Sequence, residues 1–147
     1  MKLIKHILKA KGHDTWTITP DEPVYNALQL MAEKNIGALV VVKDGEVIGV
    51  ISERDYARKI ILRGKSSRET LVREIMTSPA ICVTSDKTVE QCLSLMTDKH
   101  IRHLPVVDDG KLVGMVSVGD LVKSIIGSQR ELIRQLENFI QEHSSIT

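Results

Sequence analysis

Residues 15–61 fall on residues 80–126 without a gap when the chain is slid by 65 positions, and 18 of the 47 pairs are identical. The matches include Leu28/Leu93, Met31/Met96, Asp44/Asp109, Gly45/Gly110, Gly49/Gly114, Ser52/Ser117 and Asp55/Asp120. Such a duplication restricts the fold to one unit used twice. Solenoids need about three or more units to bury a continuous core. Two units therefore imply a pseudo-symmetric pair.

Within each unit the periodicity changes in a fixed order. Val24, Ala27, Leu28 and Met31 are spaced along one helical face, and Pro23 stands where a first-turn proline is tolerated. Ala38 to Val42 and Val47 to Ile51 are short β-branched runs on either side of Asp44-Gly45, a strong hairpin signal. Helical spacing returns from Asp55 to Leu62, and Trp16 to Ile18 adds a short strand, so each unit reads β-α-β-β-α. The layout expected is an α/β fold: an N-terminal helix and lead-in at 1–14, repeats at 15–64 and 80–127, a linker helix at 65–79, and an extra C-terminal helix at 128–147. In that last segment Leu132, Ile133, Leu136, Phe139 and Ile140 make an apolar stripe that needs a cover.

At 147 residues the chain is long enough to bury a core without staples. Twenty Lys+Arg against nineteen Asp+Glu give no overall basic field for a nucleic acid, so any phosphate binding must be local. Cys82 and Cys92 form no C-x-x-C pair and suggest neither a zinc site nor a disulfide, which favours a reduced, cytoplasmic setting. No apolar run approaches the roughly 18 residues of a membrane span. The opening MKLIKHILKAKG is too short in its apolar part for a signal peptide and reads as a docked helix, with a transit peptide as the alternative.

The order of elements, the Asp-Gly hairpin, the phrases VREIMTSPAICVTSDKTV and HLPVVDDGKLVGMVS, and the paired G-x-x-S-x-x-D motifs resemble tandem cystathionine β-synthase (CBS) domains. The resemblance covers about Leu3 to Ile126. It implies two repeats packed about a pseudo-twofold axis as a Bateman module, with adenosyl ligands in the clefts between them. It also implies that such modules pair into discs, hence a homodimer.

Ser52-Glu53-Arg54-Asp55 and Ser117-Val118-Gly119-Asp120 each end a strand and open a helix. By themselves they read as capping boxes, with Ser as N-cap and the acid reaching back to its amide. The resemblance adds that Asp55 and Asp120 take ribose hydroxyls, as an acid does in dinucleotide folds. Arg102 and His103 alone read as solvated strand-edge charges; the resemblance makes them phosphate ligands, Arg as a planar fork and His as a donor when protonated. Trp16 alone reads as core; the resemblance gives equal weight to a wall of a purine pocket, with Ile81 as its counterpart.

The resemblance sorts these residues into two clefts. One is expected to collect Ser52, Arg54 and Asp55 with Arg73, Ile81, Arg102 and His103. The other is expected to collect Ser117, Gly119 and Asp120 with Trp16, Gly37 and Ala38. The first is cationic, so it should prefer a nucleotide to a nucleoside. The expected function is a non-enzymatic sensor of adenine nucleotides, AMP first, acting in trans on an unknown effector protein. NAD(H), ATP or S-adenosylmethionine would satisfy the same groups, and a purely structural dimerisation module is the other alternative. No Ser-His-Asp set or P-loop argues for an enzyme.

Overall fold

The computed structural model describes residues 2–144 of the chain. Met1 and residues 145–147, parts of the expected terminal segments, lie outside the described residues. The first repeat runs β1 (Thr17–Ile18), α2 (Val24–Lys34), β2 (Ala38–Lys43), β3 (Glu46–Ser52) and α3 (Glu53–Tyr56), which continues as a π-helical turn over Ala57–Ile61. Helix α1 (Ile4–Lys11) precedes it and α4 (Val72–Ile75) follows it. The second repeat comprises α5 (Val89–Lys99), β4 (His103–Asp108), β5 (Lys111–Ser117) and α6 (Val118–Ser144).

Both hairpins are built alike. Asp44 (φ 51°) with Gly45 (φ 80°), and Asp109 (φ 50°) with Gly110 (φ 76°), supply the two consecutive left-handed residues of a tight turn. Both ladders also slip at the same place, between Val41 and Val42 and between Val106 and Val107.

The first strands differ. In repeat one, β1 pairs parallel to β2, with Thr17 opposite Val40 and Ile18 opposite Val41. In repeat two the expected strand contracts to a single bridge, Val83 to Val106, in the matching register. Pro105 explains the loss. Its counterpart Val40 donates its amide to the Trp16 carbonyl at 3.3 Å, and proline has no N–H to give Ile81.

The expected linker helix is also reduced. Of residues 65–79 only Val72–Ile75 is helical. Nor is the C-terminal helix separate: α6 passes Gly127 without a break, so the last helix of repeat two and the tail are one rod.

The short lead helices are exchanged between repeats. Ile4, Ile7 and Leu8 of α1, ahead of repeat one, enter the core of repeat two with Val89, Met96, Leu104 and Leu121. Val72 and Ile75 of α4 enter the core of repeat one with Val24, Met31, Leu39 and Ile51. The same amide contacts dock both: Ile4 N–H donates to Lys87 O and Val72 N–H to Glu22 O, each at 2.9 Å. Gly49 and Gly114 make room for the exchange. A β-carbon on Gly114 would lie 2.6 Å from Leu8 Cδ2, and one on Gly49 would lie 2.8 Å from the Thr77 carbonyl oxygen. Each repeat thus lacks part of its core until the other supplies it.

Candidate functional site

A cleft of about 510 Å³ opens between the repeats, within the range of small-molecule sites. The end of β3 and the start of α3 form one wall with Ser52, Glu53, Arg54 and Asp55, and the next turn adds Arg58 and Lys59. Thr77, Ala80 and Ile81 cross it, and the exit of α5 into β4 closes it with Lys99, His100, Arg102 and His103. Five cations (Arg54, Arg58, Lys59, Lys99, Arg102) therefore stand against two carboxylates, Glu53 and Asp55.

The capping box at its edge is formed. Asp55 N–H donates to Ser52 Oγ at 3.2 Å, and Asp55 Oδ2 accepts from the Ser52 amide (3.0 Å) and hydroxyl (3.1 Å). Lys59 pairs with Asp55 Oδ1 at 3.2 Å and donates to the Ile75 carbonyl oxygen at 2.8 Å. Arg54 leans toward the His100 carbonyl, 3.5 Å from Nη1. The box recurs at α6, where Asp120 N–H reaches Ser117 Oγ at 3.1 Å and Asp120 Oδ2 accepts the Ser117 amide at 2.8 Å.

His103 stands where the central strands of the two repeats begin side by side. A β-carbon on Gly37 would lie 3.8 Å from its Nε2. Burial pushes this imidazole below its ordinary 6.5; Asp120 pulls it back up, Lys11 and Arg102 press it down again, and Asp55 raises it. It senses both repeated acids. At neutral pH the uncharged ring therefore predominates, and it still offers one N–H.

Six of the expected cleft residues converge here: Ser52, Arg54, Asp55, Ile81, Arg102 and His103. Arg73 does not. The exchange of α4 turns it toward Asp21, with which it forms an exposed ion pair. Gly37 lines this cleft instead of the second one. Ala38 is fully buried in the interior and cannot wall a site. Trp16 is 37% exposed, with the Lys34 ammonium 4.2 Å from its ring centroid.

The second acid, Asp120, is not the neutral-walled counterpart that the sequence suggested. Lys11 reaches it from α1, Nζ to Oδ2 at 2.7 Å, and also donates to the Met115 carbonyl oxygen at 3.0 Å. Arg58, Lys59 and Lys11 stand at the two acids in addition to the residues expected from the sequence. The first two lie three and four residues past Asp55, a spacing that places them on its face. Lys11 precedes the ungapped repeat, and no pattern in the sequence couples it to Asp120. Among the described residues no helix is long and apolar enough to cross a membrane.

Comparison with known proteins agrees with this architecture. The profile of the CBS domain matches residues 11–62 and 72–127. The CBS domain-containing protein CBSX3, mitochondrial, of Arabidopsis thaliana is 44% identical over 147 residues, covering 94% of this chain and 71% of its own length. The crystal structure of the CBS domain NE2398 is 49% identical with a TM-score of 0.81, covering 85% of this chain and 98% of that one. A CBS domain pair of protein MJ0100, solved in complex with 5′-methylthioadenosine and S-adenosyl-L-methionine, is 28% identical with a TM-score of 0.75, covering 84% and 99%. Two matched domains, exchanged lead helices and an inter-repeat cleft are thus one finding seen three ways, and the chain belongs to the CBS domain family.

Proposed function

We propose that this chain is a regulatory module that binds an adenine nucleotide, AMP first, in the cleft at Ser52–Asp55 and passes its occupancy to a partner protein. The observation that carries this reading is the convergence, in one cleft of about 510 Å³, of a hydrogen-bonded carboxylate with Arg54, Arg102 and neutral His103. Asp55 suits a ribose diol and the arginines suit phosphate oxygens. Ile81, half-buried in the segment that crosses the cleft, suits the face of a purine. The related pair crystallised with two adenosyl compounds supports the ligand class.

The excess of cations over carboxylates in this cleft favours a phosphate-bearing ligand, so ATP or NAD(H) ranks over S-adenosylmethionine as the second reading. The role is non-catalytic, the setting cytoplasmic, and the acting form a homodimer that covers the exposed stripe of Leu132, Ile133, Leu136, Phe139 and Ile140 on α6. Titration calorimetry with AMP, adenosine, ATP and NAD tests the reading. Saturable AMP binding that Arg102→Ala weakens at least tenfold, with adenosine affected less, is expected. No binding by any of the four leaves a structural dimerisation module in its place.

A further inference from the structure

The repeats differ at one position behind the repeated acid. In repeat one, Lys59 fills the space between α4 and the turn after α3, joining Asp55 to the Ile75 carbonyl. Its counterpart at the offset of 65 is Ser124, a much shorter side chain. A cleft of about 230 Å³ lies there between α1 and α6. Ser124 Oγ is buried in its wall without a hydrogen-bond partner. Leaving such a hydroxyl unpaired costs stability, which turning its rotamer toward an acceptor in the cleft would restore.

The other polar groups of the wall are donors, apart from one carboxylate. Lys2, Lys11 and Lys123 line the cleft beside His6. His6 Nδ1 accepts the Leu3 amide at 3.0 Å, which leaves Nε2 as the ring's donor. The carboxylate in the wall, Asp120, accepts from Lys11 and the Ser117 amide through Oδ2. Two further ammonium groups, Lys2 and Lys123, with an unpaired hydroxyl beside the Lys11–Asp120 ion pair leave a net positive setting for an oxyanion. We propose that this cleft binds a phosphate group, either free or carried by a small metabolite. At less than half the volume of the cleft between the repeats, it suits a compact phosphate compound better than a nucleotide. The site stands independently of the adenine-nucleotide reading.

Titration calorimetry of the full chain with inorganic phosphate and with glycerol 3-phosphate tests it. Saturable binding is expected, unchanged within twofold in Arg102→Ala and weakened at least tenfold in Lys123→Gln. Ser124→Lys is the sharper variant, because it adds positive charge while filling the cleft as Lys59 does in repeat one. Binding should be lost in Ser124→Lys and in the uncharged filler Ser124→Met, whichever of the two folds with a wild-type melting profile. Tighter phosphate binding by Ser124→Lys would reveal mere attraction to a basic surface and overturn the proposal. So would the absence of saturable heat, or a loss confined to Arg102→Ala. Within the supporting results, a preference for glycerol 3-phosphate marks a metabolite site, and equal affinity marks a site for the free ion.

Discussion

Lys11 Nζ lies 2.7 Å from Asp120 Oδ2, so the acid that opens α6 is paired from the far end of the chain. Its counterpart Asp55 takes its lysine, Lys59, from one turn further along the same helical stretch. The two repeats thus satisfy the same carboxylate by unrelated routes. One route ties the N-terminal helix to repeat two; the other pairs two residues of repeat one and runs on to the Ile75 carbonyl of α4.

The first prediction concerns that tie. Burial pushes the Asp120 carboxyl up, but the Lys11 hydrogen bond, the Ser117 amide and the Lys11 charge outweigh it and hold the group below its ordinary 3.8. A carboxyl depressed on folding contributes stability that is complete above its unfolded value and lost as pH falls through the folded one. Because the lysine is 40% exposed, Lys11→Met should cost about 1 kcal/mol or less at pH 7. In urea unfolding the gap from wild type should close in acid below 3.8. A gap of the same size at both pH values would assign the loss to the packing of the lysine stem.

The exchanged lead helices give a second prediction. Gly49→Ala places a methyl 2.8 Å from the Thr77 carbonyl oxygen, which is backbone, whereas Gly114→Ala meets the end of a leucine side chain. Overpacking of this kind costs about 1–3 kcal/mol. Both variants should lose stability in chemical denaturation, with Gly49→Ala the worse. Equal losses would mean that the Thr77 segment yields as readily as Leu8.

Much of this architecture is legible in the sequence because it rests on local signals. Asp44-Gly45 and Asp109-Gly110 dictate their turns, and the spacing of Val24, Ala27 and Met31 dictates a buried helical face. What escapes is set by partners far along the chain. Nothing near Ile4 says that it packs on repeat two, and the exchange of α4 is what turns Arg73 toward Asp21 and away from the cleft. Gly127 is too weak a breaker to end α6 once both flanks favour a helix. Pro105 is the opposite case: its missing N–H was visible in the sequence, and its consequence, the contracted first strand of repeat two, required the register.

A third prediction follows from His103. Its imidazole is held below 6.5 in the folded chain, chiefly by burial. The unfolded chain therefore binds a proton more readily as pH falls from the ordinary value, and the native state loses stability over that window. NMR titration should place the His103 midpoint below 6.5, and His103→Asn should flatten the decline in stability between pH 7 and pH 5. A midpoint above neutrality would remove the neutral-donor role assigned to this ring in the nucleotide cleft.

The last prediction separates the two repeated acids. Asp55 lies on the wall of the large inter-repeat cleft with Arg54 and Arg102, while Asp120 is engaged by Lys11. Asn in either position can still accept the N-cap amide, so each Asp→Asn change should cost only about 1 kcal/mol as a weakened cap. Affinity should divide them. Asp55→Asn gives up a charged acceptor for the ribose, and charge-assisted hydrogen bonds are roughly twice as strong as neutral ones. Calorimetry should therefore find AMP affinity at least tenfold weaker in Asp55→Asn and within twofold of wild type in Asp120→Asn. Equal losses would mean that Lys11 swings off Asp120 and a second nucleotide enters there. That possibility has its own check, since Lys11→Met should then raise the number of AMP molecules bound per chain, whereas a single-site module keeps it at the wild-type value.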